Sequence, residues 1–182
     1  LDTTTNKDYA GGTADSTRGL FFGGASQNVI EYITIASTGN GTDFGDLTQN
    51  HAGKSGGHCS DVAAAQNESY FAPAAMGLFA GGRSAGNIAE TFTHYVNIAT
   101  DGEAGSFGDL TAGRWTFAGG AASSTRSVFA AGQLQSGSNT DIMDFFAFST
   151  KGKATDFGDT SAALQNVTTT SNGYIFYCIY TC

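Results

Sequence analysis

The chain has 182 residues, enough for one ordinary domain, and 40% of them are hydrophobic, which indicates a folded chain with a core. Lys and Arg total 8 against 16 Asp and Glu, and the net charge of −8 argues against a protein that grips the phosphates of nucleic acid. No run approaches the roughly 20 apolar residues that a transmembrane helix needs.

The predicted elements are short strands. Glycine is frequent (26 residues) and proline rare (1), which favours tight turns between extended segments. No long stretch has helical apolar spacing, while pairs of glycines and Gly-Asn or Asp-Gly steps mark breaks. The fourteen strands that we predict cover residues 9–13, 18–23, 29–36, 42–47, 54–60, 76–81, 91–99, 105–110, 115–121, 126–131, 141–148, 155–160, 165–170 and 173–181.

These strands belong to a repeated unit. In each copy an apolar strand ends in small residues, an alternating strand follows, and the unit closes on Phe-Gly-Asp. Glu31, His94 and Asp144 occupy equivalent places, because each precedes the Phe of its own copy by 13 positions. The recurring positions to which we assign structural roles are Gly23, Gly24, Gly81, Gly82, Phe44, Phe107, Phe157, Asp46, Asp109 and Asp159.

The repeats fill a single domain, residues 1–182. We place them at about 18–60, 76–121 and 126–170, with a partial repeat at 173–182, while residues 1–17 match the end of an earlier repeat. Fourteen strands make three and a half units of four. Because open sheet edges invite further pairing, we expect the missing strands to precede residue 1 or to come from another chain.

The pattern resembles the kelch repeat. Phe21, Phe22, Gly23 and Gly24 stand where kelch units carry a hydrophobic run ending in Gly-Gly, Tyr32 stands at their Tyr, and Phe44 at their Trp. The amino-acid sequence around these residues is similar to the degenerate kelch-like repeats of structural proteins in tailed bacteriophages, particularly phages of marine bacteria. The resemblance implies an all-β, kelch-type β-propeller of four-stranded antiparallel blades, and a place in a phage particle.

Little in the chain points to catalysis. The glycine pairs lack the Lys-Ser/Thr ending of a phosphate-binding loop, and we expect them to allow turns with positive φ. The repeated Asp residues should accept backbone N–H bonds in turns. Calcium at Asp43 and Asp46 is a weaker alternative, as is a metal site of His51, His58 and Cys59. Three cysteines do not make a disulfide framework, and Cys178 and Cys182 on one terminal strand cannot easily pair while that strand is extended, which leaves a pair of Cys59 with one of them as the alternative. We expect no cofactor.

Binding is better supported than chemistry. Loops 48–76, 82–90 and 132–139 interrupt the repeat, and long loops on rigid scaffolds often bind ligands. Aromatic faces surrounded by Asn, Asp and Thr can stack on sugars, although Trp115 also fits core packing. The candidate binding residues are His51, His58, Tyr70, Phe71, Arg83 and Trp115.

The function that we expect from the sequence is structural and not enzymatic. The resemblance implies a virion component, such as a tail fibre or a surface decoration, whose loops bind host-surface carbohydrate, other virion proteins or copies of itself. A secreted or cell-surface lectin-like kelch module is the alternative. An oxidase of the kelch type is a weaker one, because only three histidines are present.

Overall fold

The computed structural model describes residues 3–4, 10–15, 17–24, 27–51, 55–57, 76–84, 86–115, 119–123, 125–165, 167–171 and 176–180. This part of the chain contains no helix. Its strands are β1 (Gly11–Ala14), β2 (Arg18–Phe22), β3 (Gln27–Thr34), β4 (Thr42–His51), β5 (Ser55–Gly57), β6 (Met76–Ala80), β7 (Phe92–Asn97), β8 (Gly105–Asp109), β9 (Arg114–Trp115), β10 (Gly119–Ala122), β11 (Arg126–Leu134), β12 (Asn139–Ala147), β13 (Thr155–Leu164), β14 (Val167–Ser171) and β15 (Phe176–Tyr180).

Strands that follow one another in the chain also lie beside one another in antiparallel sheets. The first sheet consists of β1 to β4 and the second of β5 to β8, both in chain order. The third contains β10 to β13, with β9 attached to β11, and the fourth contains β14 and β15. The predicted all-β class is confirmed. The complete sheets take the predicted strands in groups of four from residue 9, so β1, β5 and β10 lie in the sheet of the repeat that follows the bounds in which we placed them.

The structure departs from the prediction around the third sheet. β11 continues to Leu134, beyond the predicted end at residue 131, and places Gln133 opposite Trp115 of β9. Of the predicted strand 115–121, Trp115 and residues 119–121 pair with β11, and residues 116–118 lie outside the described residues. The predicted loop 132–139 is correspondingly shorter, since only the residues between Leu134 and Asn139 lie outside the strands.

A β-bulge recurs between the third and fourth strands of each complete sheet. In the first sheet Ile30 pairs with Gly45 and Glu31 pairs with Asp43, so Phe44 is the extra residue. Phe107 and Phe157 occupy the same bulged position in the other two sheets. Because a bulge re-aims a side chain locally, it gives the repeated Phe a direction that regular pairing would not.

The repeated Phe-Gly-Asp segment fastens one sheet to the next through its backbone. The Phe44 carbonyl accepts a hydrogen bond from Gly102 N at 2.8 Å, and the Asp46 carbonyl accepts one from Ala104 N at 2.9 Å. The donors lie in the turn between β7 and β8 of the second sheet. The second and third sheets are joined by the equivalent bonds, from Gly152 N to the Phe107 carbonyl (2.9 Å) and from Ala154 N to the Asp109 carbonyl (2.7 Å).

The hydrophobic core is divided between the sheets. One cluster lies between the first and second sheets, where the rings of Phe22 and Phe79 stack with centroids 3.8 Å apart. The other lies between the second and third sheets, where Phe107 meets Phe146 edge-on at 5.6 Å. The second sheet therefore buries one face against the first sheet and the other against the third, which agrees with the apolar residues on both faces of β7.

The first strands of the four sheets lie side by side in chain order. β5 contacts both β1 and β10, and β10 contacts β14. The last contact includes a hydrogen bond of 2.5 Å from the Thr169 hydroxyl to the Gly120 carbonyl. The first strands of the sheets thus lie next to one another. In the first and second sheets, the Phe-Gly-Asp segment joins the fourth strand to the turn that precedes the fourth strand of the next sheet.

Candidate binding surface

The loop after β6 is a narrow one that closes on itself. Arg83 and Ala89 form an isolated antiparallel bridge. Inside it, Ser84 N donates to the Ile88 carbonyl at 3.1 Å, and Asn87 N donates to the Ser84 carbonyl at 3.0 Å. The turn leaves the Ile88 side chain 55% exposed. The backbone bonds of the turn therefore hold an exposed apolar side chain at a fixed position.

Strand β9 anchors the base of this loop. Gly82 N donates to the Arg114 carbonyl at 2.9 Å, and Arg114 N donates to the Glu90 carbonyl at 3.2 Å. Glu90 N in turn donates to the Gly82 carbonyl at 3.0 Å. This closed cycle of backbone bonds fixes the loop to the segment that carries Trp115, because Trp115 directly follows Arg114 in the chain.

Arg83 and Trp115 are brought together by that anchoring. The guanidinium carbon of Arg83 lies 5.4 Å from the centre of the indole ring, within the range of a cation–π contact. Both side chains are partly buried. The indole Nε1 is buried and has no hydrogen-bond partner among the described residues. The pair therefore places a cation over an aromatic ring at the base of the loop that carries Ile88.

A second loop is tied to the first by one side chain. Gln135, in the turn between β11 and β12, accepts a hydrogen bond from Ala89 N at 2.6 Å and donates one to the Asn87 carbonyl at 3.1 Å. A glutamine amide with its donor and its acceptor both used in this way sets the relative position of two loops. We call the residues Arg83, Asn87, Ile88, Trp115 and Gln135 the loop surface.

A buried ion pair holds the strand that carries Trp115 of the loop surface. The Arg114 guanidinium is bonded to the Asp144 carboxylate, and both side chains are fully buried. Arg114 also donates to the Ile142 carbonyl at 2.7 Å, and Asp144 accepts from the Thr111 hydroxyl at 2.6 Å. Burial lowers the pKa of Arg114, and the attraction of Asp144 opposes that change. These bonds attach β9 to β12 and thereby fix Trp115.

Asp144 is one of three buried ionisable residues at equivalent places. Glu31, His94 and Asp144 are at most 2% exposed, and each pairs across the sheet with the Phe of the preceding strand. Each also meets a threonine: Thr4 N donates to Glu31 at 2.6 Å, and the Thr48 hydroxyl lies 3.2 Å from His94 Nδ1. The shared 13-residue spacing is the sequence signal for this equivalence, although nothing in it predicts burial.

The structure describes only some of the predicted binding residues. His58, Tyr70 and Phe71 lie outside the described residues, as do most of loop 48–76 and Cys59. His51 is the last residue of β4 and pairs with Gln27 in the first sheet. Arg83 and Trp115 are the two that come together. Gln135, which connects their loops, carries no signal in the sequence.

The repeated structural positions behave more uniformly. The glycines of the two pairs at 23–24 and 81–82 all have positive φ, between 61° and 105°, as the sequence predicts. The Asp residues differ from the prediction, because the bonds from backbone N–H groups reach the carbonyls of Asp46 and Asp109. The Asp109 carboxylate accepts instead from the Thr91 hydroxyl at 3.0 Å. Asp159 is exposed.

Metal-binding side chains do not cluster in the part of the chain that can be described. There, no three His, Cys, Asp or Glu residues lie close enough together to hold a metal ion. His94, the one histidine whose side chain is described, faces Thr48 inside the second sheet. The same part of the chain has no helix of the length and apolar character needed to cross a membrane.

Comparisons with known proteins do not add a family to these observations. No protein-family model matches the chain, and no curated protein matches it. The functional assignment therefore rests on the contacts of the loop surface and on the repeat.

Proposed function

We propose that the chain forms part of a kelch-like β-propeller and acts as a binding module without catalytic activity. Two observations support the propeller. The first strands of the four sheets lie side by side in chain order, as strands around a common axis would, and the same Phe-Gly-Asp bonds join one sheet to the next. A stack of sheets that bury their faces on one another is the arrangement that such repeats favour.

The loop surface is the site that we assign to binding. The observation that carries this assignment is the double hydrogen bond of Gln135, which joins two loops beside the Arg83–Trp115 pair. A surface that is fixed before the ligand arrives loses less conformational entropy on binding. Trp and Arg are also the residues that most often dominate binding energies.

The ligand class that we propose is the carbohydrate of a bacterial surface. An indole ring can cover the apolar face of a sugar, while the guanidinium of Arg83 and the amide groups of Asn87 and Gln135 match its hydroxyl groups. The biological setting that we propose is the virion of a tailed phage, in a tail fibre or a surface decoration. The support for this setting is the resemblance of the repeat to phage structural proteins.

Tryptophan fluorescence offers a direct test, because Trp115 is the only tryptophan of the chain. Titration with oligosaccharides released from bacterial surface polysaccharides should change its emission in a saturable way. Arg83→Ala should weaken that binding about tenfold, a loss of ~1.4 kcal/mol. Ile35→Ser is the matched control, because Ile35 is 53% exposed in a turn of the first sheet and lies outside the loop surface, so its replacement should leave binding unchanged. Equal binding by the Arg83 variant and the parent chain would refute the assignment.

A further inference from the structure

The Phe-Gly-Asp segment of the third sheet is uncovered. Phe157 is 42% exposed, whereas Phe44 and Phe107 are 3% and 2% exposed. Its position in its own sheet is nevertheless the same: Phe157 meets Phe145 edge-on at 6.0 Å, as Phe107 meets Tyr95 at 6.1 Å. The exposure therefore comes from what lies beyond the sheet, and not from a different placement of the ring.

The backbone of this segment pairs with β12 in its own sheet, but two of its carbonyl groups differ from those of the other sheets. Among the described residues, no bond from another sheet reaches the carbonyls of Phe157 and Asp159. A Cβ atom added to Gly45 or Gly108 would overlap the carbonyl of the turn docked against it. A Cβ added to Gly158 meets only the tip of Met143, 4.0 Å away. The third sheet thus keeps the glycine that allows a turn to approach closely, but none of the described residues forms a turn docked against it.

The fourth sheet explains which element would fill this space. In the second and third sheets, the docked turn joins the third strand to the fourth. In the described part of the fourth sheet only β14 and β15 are present, and β15 pairs with β14 alone. A β-hairpin that paired with the other edge of β15 would supply a third and a fourth strand and would bring its turn to residues 157–159.

The charge at this place limits the sequence of the turn. In the first sheet Arg18 stacks on Tyr32, 4.3 Å from the ring centre, and its guanidinium binds Asp101 of the docked turn at 2.7 Å. Arg126 occupies the equivalent position in the third sheet and lies 5.5 Å from the centre of Phe145. It has no ion pair among the described residues. The turn that docks here should therefore carry an acidic residue directly before its glycine.

We propose that residues 157–159, with Arg126 and the edge of β15 opposite β14, form a docking site for a β-hairpin of a neighbouring repeat protein, whose turn reads Asp-Gly-x-Ala. The hairpin's glycine and alanine N–H groups donate to the carbonyls of Phe157 and Asp159. Its alanine covers the Phe157 ring, as Ala104 and Ala154 lie in the clusters that contain Phe44 and Phe107. The site does not depend on any ligand of the loop surface.

The chain itself provides matched probes. Residues 91–110 form a hairpin with Asp101 before the turn glycine, and residues 141–160 form one with Lys151 at that place. Each hairpin is made as a free, fluorescein-labelled peptide. Each is also fused to the chain after residue 182 through a flexible linker, which raises its effective concentration to about 1 mM. Fluorescence anisotropy measures the free peptides, and hydrogen exchange at residues 155–160 measures the fused ones.

The 91–110 hairpin should bind the chain about tenfold more tightly than the 141–160 hairpin, because Lys151 would face Arg126. Phe157→Asp and Gly158→Ala should each abolish binding, while Ile35→Asp should not change it. Binding that survives Phe157→Asp would overturn the proposal, and so would a lack of exchange protection by the fused 91–110 hairpin. The proposal would also be overturned if neither hairpin bound and sedimentation instead showed that the chain associates with itself. If Phe157→Asp abolished that self-association, the occupant of the site would be a second copy of the chain.

Discussion

Arg114 and Asp144 form a fully buried ion pair that joins the segment after the second sheet to the third strand of the third sheet. Arg114 lies directly before Trp115, so the pair places the indole of the loop surface. Because β9 pairs with β11, both residues belong to the third sheet, and the ion pair attaches β9 to β12 within it. The stability of the third sheet and the geometry of the loop surface therefore depend on the same pair of residues.

Removal of one partner of this pair should be costly. Asp144→Asn leaves Arg114 buried without its counter-charge, and we expect the free energy of unfolding to fall by about 3–5 kcal/mol. Urea denaturation measures this fall. Asp101→Asn is the control, because the exposed Arg18–Asp101 pair should contribute less than about 1 kcal/mol. A similar small loss in both variants would show that the buried pair is not important for stability.

Alanine substitutions at two glycines test how closely the sheets approach each other. Gly45 and Gly158 both have positive φ, so an alanine is strained at either place. Only at Gly45 would the new Cβ overlap the Gly102 carbonyl of the neighbouring sheet. We expect Gly45→Ala to lower the free energy of unfolding by about 1–3 kcal/mol more than Gly158→Ala does. Equal losses in denaturant unfolding would mean that the turn is not held against Phe-Gly-Asp.

Ala131 takes the backbone conformation that glycine has in the other sheets. Its φ is 61°, while Gly23 and Gly81 have φ of 61° and 62°. Relief of left-handed strain, about 1 kcal/mol, should offset the loss of a buried methyl group, about 0.8 kcal/mol. Ala131→Gly should therefore be nearly neutral in thermal unfolding. The neighbouring Ala130→Gly should destabilise the chain clearly, and a larger loss for Ala131→Gly than for Ala130→Gly would contradict this account.

The coupling of the two loops rests on Gln135. Gln135→Ala removes the side chain that accepts a hydrogen bond from Ala89 N. Because such a bond contributes about 1 kcal/mol or slightly more, the Ala89 amide should exchange its hydrogen about tenfold faster in this variant. Ser136→Ala is the matched control in the same turn, because the Ser136 hydroxyl accepts only from Ser138 N, at 3.3 Å. Unchanged exchange at Ala89 in the Gln135 variant would show that the loops are not coupled through this side chain.

Although it did not predict that β11 and β13 continue to Leu134 and Leu164, the sequence by itself determined most of the strands, their order in groups of four and the equivalence of Glu31, His94 and Asp144. These features are local or periodic, because turns depend on glycine at positive φ and strand length depends on alternating side chains. The sequence also indicated that Phe-Gly-Asp has a structural role, although it could not show that backbone carbonyls perform it.

Only the tertiary structure decided how the units meet. Whether Asp144 is buried, whether Arg83 reaches Trp115 and whether Gln135 bridges two loops depend on residues that are distant in the chain, and no local pattern reports such contacts. Phe44, Phe107 and Phe157 illustrate the limit, since their surroundings in sequence are nearly identical and their exposures differ greatly. The cause is whether the turn of the next sheet is docked against the ring, as it is at Phe44 and Phe107, and such docking is a property of the packing and not of the repeat.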